Sequence, residues 1–290
     1  MAIRSRRLER VHKSAPRRLR RIVVGLAWSQ LWLGLLNVGL FLSPGVSVPW
    51  TAVVAGMFWV WTLQPGRLGR LRQAARFRLR PVSSGGRWMT WTVAATIGYA
   101  LAVLIAAPVV GSATSMRSMI FDRLVRHPSA GIQLLLLVVT LGPLLEEIFF
   151  RGYIQRTLER GVGAPVAIAI TATIFALAHF ARPLPLAQIA LGIVTGYAAY
   201  ATRSIWPGVV VHVSYNATVV VSAELGRWGG ITLPHSTMLG AAGGWAVAAL
   251  AGTPLLWLLR RTGQAQRAAR QGRARPRPAL VTSSTERAAR

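Results

Sequence analysis

Long apolar segments alternate with short arginine-rich or proline- and glycine-containing segments along most of this 290-residue chain. Several apolar runs approach or reach the roughly 20 residues that a helix needs to cross about 30 Å of hydrocarbon. The pattern predicts an all-α fold, a polytopic transmembrane helical bundle with about eight transmembrane helices. The predicted helices cover residues 22–42, 49–63, 88–110, 132–155, 164–180, 186–202, 206–223 and 238–259.

Two features inside these segments predict local geometry. Pro143 lies within the fourth helix and removes one backbone hydrogen bond, which predicts a kink just before residue 146. Gly192 and Gly196 in the sixth helix have the small-xxx-small spacing that lets a neighbouring helix approach closely.

The composition supports a membrane protein and argues against a nucleic-acid-binding one. Hydrophobic residues make up 53% of the chain and charged residues 14%, with a mean hydropathy of +0.44, which is too apolar for an ordinary soluble domain. The formal net charge of +27 comes almost entirely from arginine, since Lys13 is the only lysine. No base-reading motif or aromatic-interleaved basic patch accompanies the charge, so we expect no nucleic-acid partner.

The arginines concentrate at residues 4–21, 67–87 and 260–290, each beside an apolar segment. This distribution is typical of cytoplasmic segments, and it predicts attraction to anionic lipids. We therefore expect a multi-pass protein of the cell membrane with both termini cytoplasmic. Its predicted regions are a basic cytoplasmic arm (1–21), a transmembrane domain (22–259) and a basic tail (260–290), whose composition predicts disorder.

The connections between helices are predicted to differ on the two sides of the membrane. On the inner side, residues 68–79 are expected to form a basic surface helix and residues 156–163 a loop. On the outer side we expect a short amphipathic helix at 116–125 and a turn at 224–236.

The candidate chemistry begins with two adjacent carboxylates, Glu146 and Glu147, near the end of the apolar run 134–152. An ionisable side chain at membrane depth costs roughly 2.5–3.5 kcal/mol on insertion scales unless it is paired or faces a wet cavity, so the pair predicts a functional site. Alternatively, the apolar run ends near Leu145 and both glutamates meet the headgroup region. Arg151 lies four residues after Glu147, a spacing that favours an ion pair, which can also be purely structural.

Three further polar residues lie at predicted membrane depth: His179 in the fifth helix, and His212 and Asn216 in the seventh. His212 and Asn216 are four residues apart and share one helix face. Taken singly, such a histidine is about as often an interhelical hydrogen-bond partner as a catalytic group. Such an asparagine is more often a packing contact than a catalytic group. The remaining histidines lie in predicted connections or in the basic arm and are interpreted as non-catalytic: His12, His127 and His235.

Together these groups suit the activation of water. A carboxylate can take a proton from water as a general base, and a histidine and an amide can donate hydrogen bonds to the oxyanion of a tetrahedral intermediate. The same N and O ligands could instead hold a divalent metal such as zinc, through Glu146, His179 and His212. The chain has no cysteine, which excludes thiolate ligands and disulfides.

The order and spacing of these residues resemble the CPBP family of intramembrane proteases, which includes the CAAX prenyl endopeptidases of the Rce1 type and the bacterial Abi proteins. The matching motifs are Glu146-Glu147-Ile-Phe-Phe-Arg151, Phe175-x-x-x-His179 and His212-x-x-x-Asn216. They place a CPBP-like catalytic core at about residues 130–222. One Glu-Glu-x-x-x-Arg motif is a weak signal, whereas three motifs in order on predicted helices are a strong one.

The resemblance implies an endopeptidase that hydrolyses peptide bonds of membrane-associated or membrane-entering peptides. It implies that Glu146 activates the water with His179, and that His212 and Asn216 stabilise the oxyanion. Glu147 and Arg151 would orient these groups. The family has been described both as glutamate-type and as metal-dependent, and we favour a mechanism without a metal.

Two other classes of function are compatible with the same residues. One is a non-catalytic membrane scaffold, or a self-immunity protein against bacteriocins, with the same fold. The other is a proton-coupled transporter, in which buried carboxylates and histidines form a relay; the lack of an internal repeat argues against it. The arginine- and alanine-rich composition suggests a bacterial source, where prenylated substrates are not expected.

Overall fold

The structure is a computed structural model. It describes residues 19–20, 23–24, 27–28, 31–32, 34–35, 50, 53–54, 57, 78–79, 82, 87–106, 126, 131–132, 135–179, 186–229 and 240–274. The predicted surface helix 68–79, apart from its last two residues, and the predicted outer helix 116–125 lie outside this part of the chain. The described residues between 19 and 57 are helical, as expected for the first two predicted helices, most of whose residues lie outside it.

Within the described residues the fold is all-α, as predicted, and contains no strand. We label the helices α1 to α6 in chain order. They are α1 (Arg87–Ala106), α2 (residues 137–162), α3 (Ala164–Leu177), α4 (Leu186–Thr202), α5 (Trp206–Gly229) and α6 (Gly240–Ala274). Helix α1 packs against α5 and α6, while α4 packs against α3, α5 and α6.

Helix α2 is wound more widely than an α-helix over two of its four segments. Leu137–Leu141 and Glu147–Gln155 are π-helical, whereas Gly142–Glu146 and Arg156–Val162 are α-helical. The backbone N–H of Gly142 donates to the carbonyl of Leu137, five residues earlier, directly before Pro143. The disturbance predicted at Pro143 therefore takes the form of a widened turn, a feature often found near functional sites.

The helix boundaries differ from the sequence predictions at two places, the connection after α2 and the tail. Residues 156–163 were expected to form a loop, but α2 continues to Val162 and the chain turns at Gly163, whose φ is 82°. The tail was expected to be disordered from residue 260, but α6 continues to Ala274. Tertiary contacts account for this continuation: Gln266 is buried, and Arg267 Nη1 donates to the carbonyl of Ala201 at 2.9 Å.

Two smaller differences concern helix ends. Helix α3 ends at Leu177 rather than at 180, and α5 runs to Gly229 through part of the predicted outer turn. The described part of α1 ends at Ala106, and its predicted continuation to residue 110 lies outside the described residues. None of the helices in the described residues has both the length and the apolar character that a membrane crossing requires. The count of eight spans stays a prediction.

Two glycines allow α4 to lie directly against its neighbours, as their spacing predicted. A Cβ at Gly192 would lie 2.9 Å from both Cα and Cβ of Ala172 on α3. A Cβ at Gly196 would lie 2.9 Å from Oε1 of Gln155 on α2. The packing of α4 thus depends on the missing side chains, because only glycine brings the backbones this close.

The main core joins all six helices through large buried side chains. Phe150 and Ile154 of α2 and Phe175 of α3 are at most 1% exposed. They belong to one apolar cluster with Val211 of α5 and Leu255 of α6. This cluster lies directly beside the polar residues described below, so it fixes their positions.

Replacing Gly192 with Ala is expected to destabilise the fold by about 1–3 kcal/mol, because the new methyl group meets the Ala172 backbone. Gly98→Ala is the matched control, since the exposed Gly98 on α1 has no atom within 4 Å of the added Cβ. Thermal unfolding in detergent should show a lower midpoint for Gly192→Ala only. Equal midpoints for the two variants would contradict the close α3–α4 contact.

Candidate active site

The polar groups of the candidate site converge on Glu147, whose side chain is fully buried. Its Oε1 lies 3.2 Å from Nη1 of Arg151, one turn further along α2. The same oxygen lies 3.1 Å from Nδ1 of His212, which α5 brings from 65 residues away. The ion pair predicted from the four-residue spacing is therefore present, and it includes a histidine from another helix.

His212 lies between the two carboxylates and contacts each through a different ring nitrogen. Its Nε2 is 3.5 Å from Oε2 of Glu146, and its Nδ1 faces Glu147. When Nδ1 carries the proton it donates to Glu147, and Nε2 then faces Glu146. The two glutamates differ in environment, because the Glu146 side chain is 16% exposed and the Glu147 side chain is completely buried.

Phe175 forms the apolar wall that joins the second motif to the first and third. Its ring stacks edge-on with His179 at 4.7 Å and with His212 at 5.6 Å between ring centroids. The guanidinium carbon of Arg151 lies 4.4 Å from the centre of the same ring. Such a contact stabilises a desolvated cation, so Phe175 supports Arg151 as well as both histidines.

His179 lies at the end of α3 with an exposed side chain. Its Nδ1 is 2.8 Å from the carbonyl of Phe175. A carbonyl can only accept, so Nδ1 carries the proton and the neutral ring has its lone pair on Nε2. The ring is thus held in a tautomer that can accept a hydrogen bond from water.

Asn216 reaches the opposite end of the site. Its Nδ2 donates to the carbonyl of Val138 at 2.9 Å, in the first π-helical segment of α2. A π-helical turn changes which backbone carbonyls accept hydrogen bonds within the helix. The Asn216 amide donates to one of the carbonyls of this π-helical segment. This contact ties α5 to α2 eight residues before Glu146.

Several buried polar atoms around Glu147 lack hydrogen-bond partners within the described residues. They include Oε2 of Glu147 and all three guanidinium nitrogens of Arg151. The 3.2 Å contact between Arg151 and Glu147 is therefore an ion pair without hydrogen-bond geometry. A Cβ at Gly208 would lie 2.7 Å from Oε2 of Glu147, so the α5 backbone closes this side of the carboxylate.

The metal alternative concerns Glu146, His179 and His212. Within the described residues no three His, Asp or Glu side chains are placed to hold a metal ion. Both ring nitrogens of His212 face carboxylates, and Nδ1 of His179 is bonded to a carbonyl. A metal held by these residues stays a prediction from the sequence, and no step below uses one.

A second polar cluster, which the sequence analysis missed, lies further along α2. Gln155 is fully buried and donates from Nε2 to the Gly196 carbonyl and to Oε1 of Glu159, both at 2.9 Å. Arg78, also buried, donates from Nη2 to Oε2 of Glu159. A signal was available, because Gln155 and Glu159 continue the four-residue spacing of Glu147 and Arg151. Nothing local in the sequence indicated the pairing with Arg78, 81 residues away.

Residues 128–218 match the family model described as type II CAAX prenyl endopeptidase Rce1-like. We call this matched stretch, which covers 91 of the 290 residues, the Rce1-like domain. The match confirms the family resemblance inferred from the three motifs. No curated protein and no solved structure matches the chain.

The Rce1-like domain contains every residue of the three motifs, from Glu146 to Asn216. It also contains α3, α4 and the first half of α5, the helices that carry or support those residues. The family match supports a membrane location and, in general, peptidase activity.

Within the Rce1-like domain, the structure brings Glu146, Glu147, Arg151 and His212 into one contact network. His179 joins this network through the ring of Phe175. The Asn216 side chain contacts an earlier segment of α2 by donating to the backbone carbonyl of Val138.

Replacing Glu147 with Leu is expected to destabilise the fold by about 3–5 kcal/mol, because it leaves the buried Arg151 without a counter-charge. The double variant Glu147→Leu/Arg151→Met should recover most of this loss, since it removes both charges and keeps apolar volume. Thermal unfolding of the two variants measures the difference. Equal destabilisation of both would contradict an energetically coupled pair.

Proposed function

We propose that this protein is an intramembrane endopeptidase of the Rce1-like family, in which Glu146 activates the attacking water. The single observation that carries the assignment is the placement of one imidazole, His212, between two adjacent carboxylates of a distant segment. Glu146 has the position of the base because its side chain is the more exposed of the two. Glu147 is engaged by Arg151 and His212 and acts as a positioning residue.

In the proposed reaction, Glu146 takes a proton from water while the oxygen adds to the carbonyl carbon of the scissile peptide bond. His179 helps to position the water, because its Nε2 carries a lone pair. The carbonyl π electrons move onto oxygen and form a tetrahedral oxyanion. The C–N bond then breaks, and the proton taken by Glu146 passes to the departing nitrogen.

Stabilisation of the oxyanion is proposed for His212 and Asn216. The Oε2 of Glu146 is 3.5 Å from Nε2 of His212, so the proton taken from water has a short path to that nitrogen. With that proton on Nε2, the imidazolium donates to the oxyanion, and Glu147 on the opposite nitrogen stabilises its charge. The proton returns through Glu146 to the departing nitrogen when the C–N bond breaks. The Asn216 amide has two N–H groups, one of which is used by Val138.

The proposed substrates are peptides that are associated with the membrane or enter it. We further propose that the chain crosses the cell membrane several times with both termini cytoplasmic. The arginine clusters and the family match support this proposal.

Glu146→Gln is expected to abolish cleavage and to leave the fold intact, because glutamine keeps the shape of the side chain but cannot accept a proton from water. Membranes from cells that express the wild type or Glu146→Gln are compared by mass spectrometry of protein N-termini. New termini should appear with the wild type only. Glu9→Gln, which removes one carboxylate outside the three motifs, is the matched control. Wild-type cleavage by a folded Glu146→Gln variant would contradict the mechanism and favour a non-catalytic scaffold.

His179→Ala tests the proposed positioning of water independently of the carboxylates. A positioned general base or water-positioning group typically contributes about 10²–10⁴-fold to the rate. The substrate identified by its new terminus is used to measure kcat and KM for the purified variant in detergent. We expect kcat to fall by that factor with KM nearly unchanged. A change confined to KM would assign His179 to substrate binding instead.

A further inference from the structure

Within the described residues, the cluster around Glu159 contains one carboxylate and several arginines. Glu159 accepts hydrogen bonds from Arg78 and Gln155, and its Oε2 is also 3.8 Å from Nη1 of Arg203. Arg156 lies within electrostatic reach of Glu159, and Arg160 lies within reach of Arg156 and Arg78. Four guanidinium groups thus lie close together with one carboxylate among them. The whole chain has 34 basic and seven acidic residues, so counter-charge from elsewhere in the chain is scarce.

Arg78 is the buried member of this cluster. Its side chain is 3% exposed, and Nη2 is bonded to Glu159. Nη1 of the same guanidinium is also buried and has no hydrogen-bond partner among the residues that the structure describes. A buried cationic N–H without a hydrogen-bond acceptor costs free energy. Here this N–H belongs to the guanidinium whose other terminal nitrogen is bonded to the Glu159 carboxylate.

The backbone holds this cluster in an uncommon conformation. Arg78 and Arg203 both have positive φ, at 57° and 56°, which costs a residue with a side chain about 1 kcal/mol or more. The Arg78 segment is tied to the start of α5 by two hydrogen bonds. The N–H of Ile205 donates to the Arg78 carbonyl, and Nε1 of Trp206 donates to the Leu79 carbonyl, both at 2.9 Å. Strained backbone held in this way is typical of binding sites.

The members of the cluster combine a buried anchor with accessible side chains. The Arg203 side chain is 53% exposed and packs over the ring of Tyr200 at 5.3 Å. Burial and the neighbouring arginines Arg160 and Arg78 lower the pKa of Arg156 to about 10. The arginine charges therefore repel one another at the C-terminal ends of α2 and α4. A bound anion would relieve that repulsion.

We propose that Arg78, Arg156, Arg160 and Arg203 form a binding site for a phosphate group, separate from the candidate active site. Planar guanidinium groups match the oxygens of phosphate in charge and in hydrogen-bond geometry. The phosphate can belong to the headgroup of an anionic lipid or to a small free anion. Glu159 holds Arg78 in place but does not contact the anion. This site does not depend on the proposed peptidase activity.

The test uses the purified full chain in a neutral detergent with two probes, phosphatidylglycerol and inorganic phosphate. Binding is measured by native mass spectrometry for the lipid and by the shift of the thermal unfolding midpoint for both. Arg203→Gln is the main variant, because the Arg203 side chain is 53% exposed and forms an ion pair with Glu159. Arg260→Gln is the matched control, since it removes one exposed arginine of α6 outside the cluster.

Loss of one charge-assisted contact of about 1.5–3 kcal/mol weakens binding by about tenfold or more. We expect this loss for Arg203→Gln and not for Arg260→Gln. If phosphatidylglycerol shows the difference and inorganic phosphate does not, the ligand is a lipid headgroup; the converse identifies a free anion. Arg203→Lys should restore only part of the affinity, because lysine keeps the charge without the planar fork.

Equal binding by Arg203→Gln, Arg260→Gln and the wild type would overturn the site and leave only diffuse attraction between arginines and anions. Unfolding of each variant without ligand is measured first. If Arg203→Gln is unstable by itself, Arg156→Gln is used against the same control, with the same expected loss and the same overturning result.

Discussion

The arrangement of the candidate site depends on one buried ion pair, Glu147 with Arg151. Two charges removed from water cost much free energy unless they are paired, and further contacts lower that cost. Oε1 of Glu147 is also contacted by His212 from α5, and the guanidinium of Arg151 lies against the ring of Phe175 on α3. The pair thereby draws three helices together, and each of them carries one of the three motifs.

The widened winding of α2 places Glu146 and Glu147 where one imidazole can contact both. In an α-helix, adjacent side chains diverge by about 100°. Here the boundary between the α-helical and π-helical segments falls between these two residues. Pro143 and Gly142 precede this boundary by one turn, so the backbone irregularity and the paired carboxylates belong to the same local feature.

Polar residues at four-residue spacing continue from the site to the arginine-rich end of α2. Glu147, Arg151 and Gln155 are buried, and Glu159 is nearly so. Their partners come from three other parts of the chain: His212 on α5, Gly196 on α4 and Arg78 before α1. This row links the candidate active site and the proposed phosphate site through a single helix face.

The sequence by itself determined the all-α class, the approximate positions of α1 to α5, the close approach at Gly192 and the three motifs. These follow from hydropathy, helix-breaking residues and fixed spacings, which act over a few residues of chain. Tertiary structure alone decided that His212 bridges both glutamates, that Arg78 pairs with Glu159, and that α2 and α6 continue through stretches of polar composition. The physical reason is that these features depend on partners 65 to 81 residues away in sequence. A polar residue that looks solvent-facing in its local sequence becomes a core residue when such a partner satisfies it.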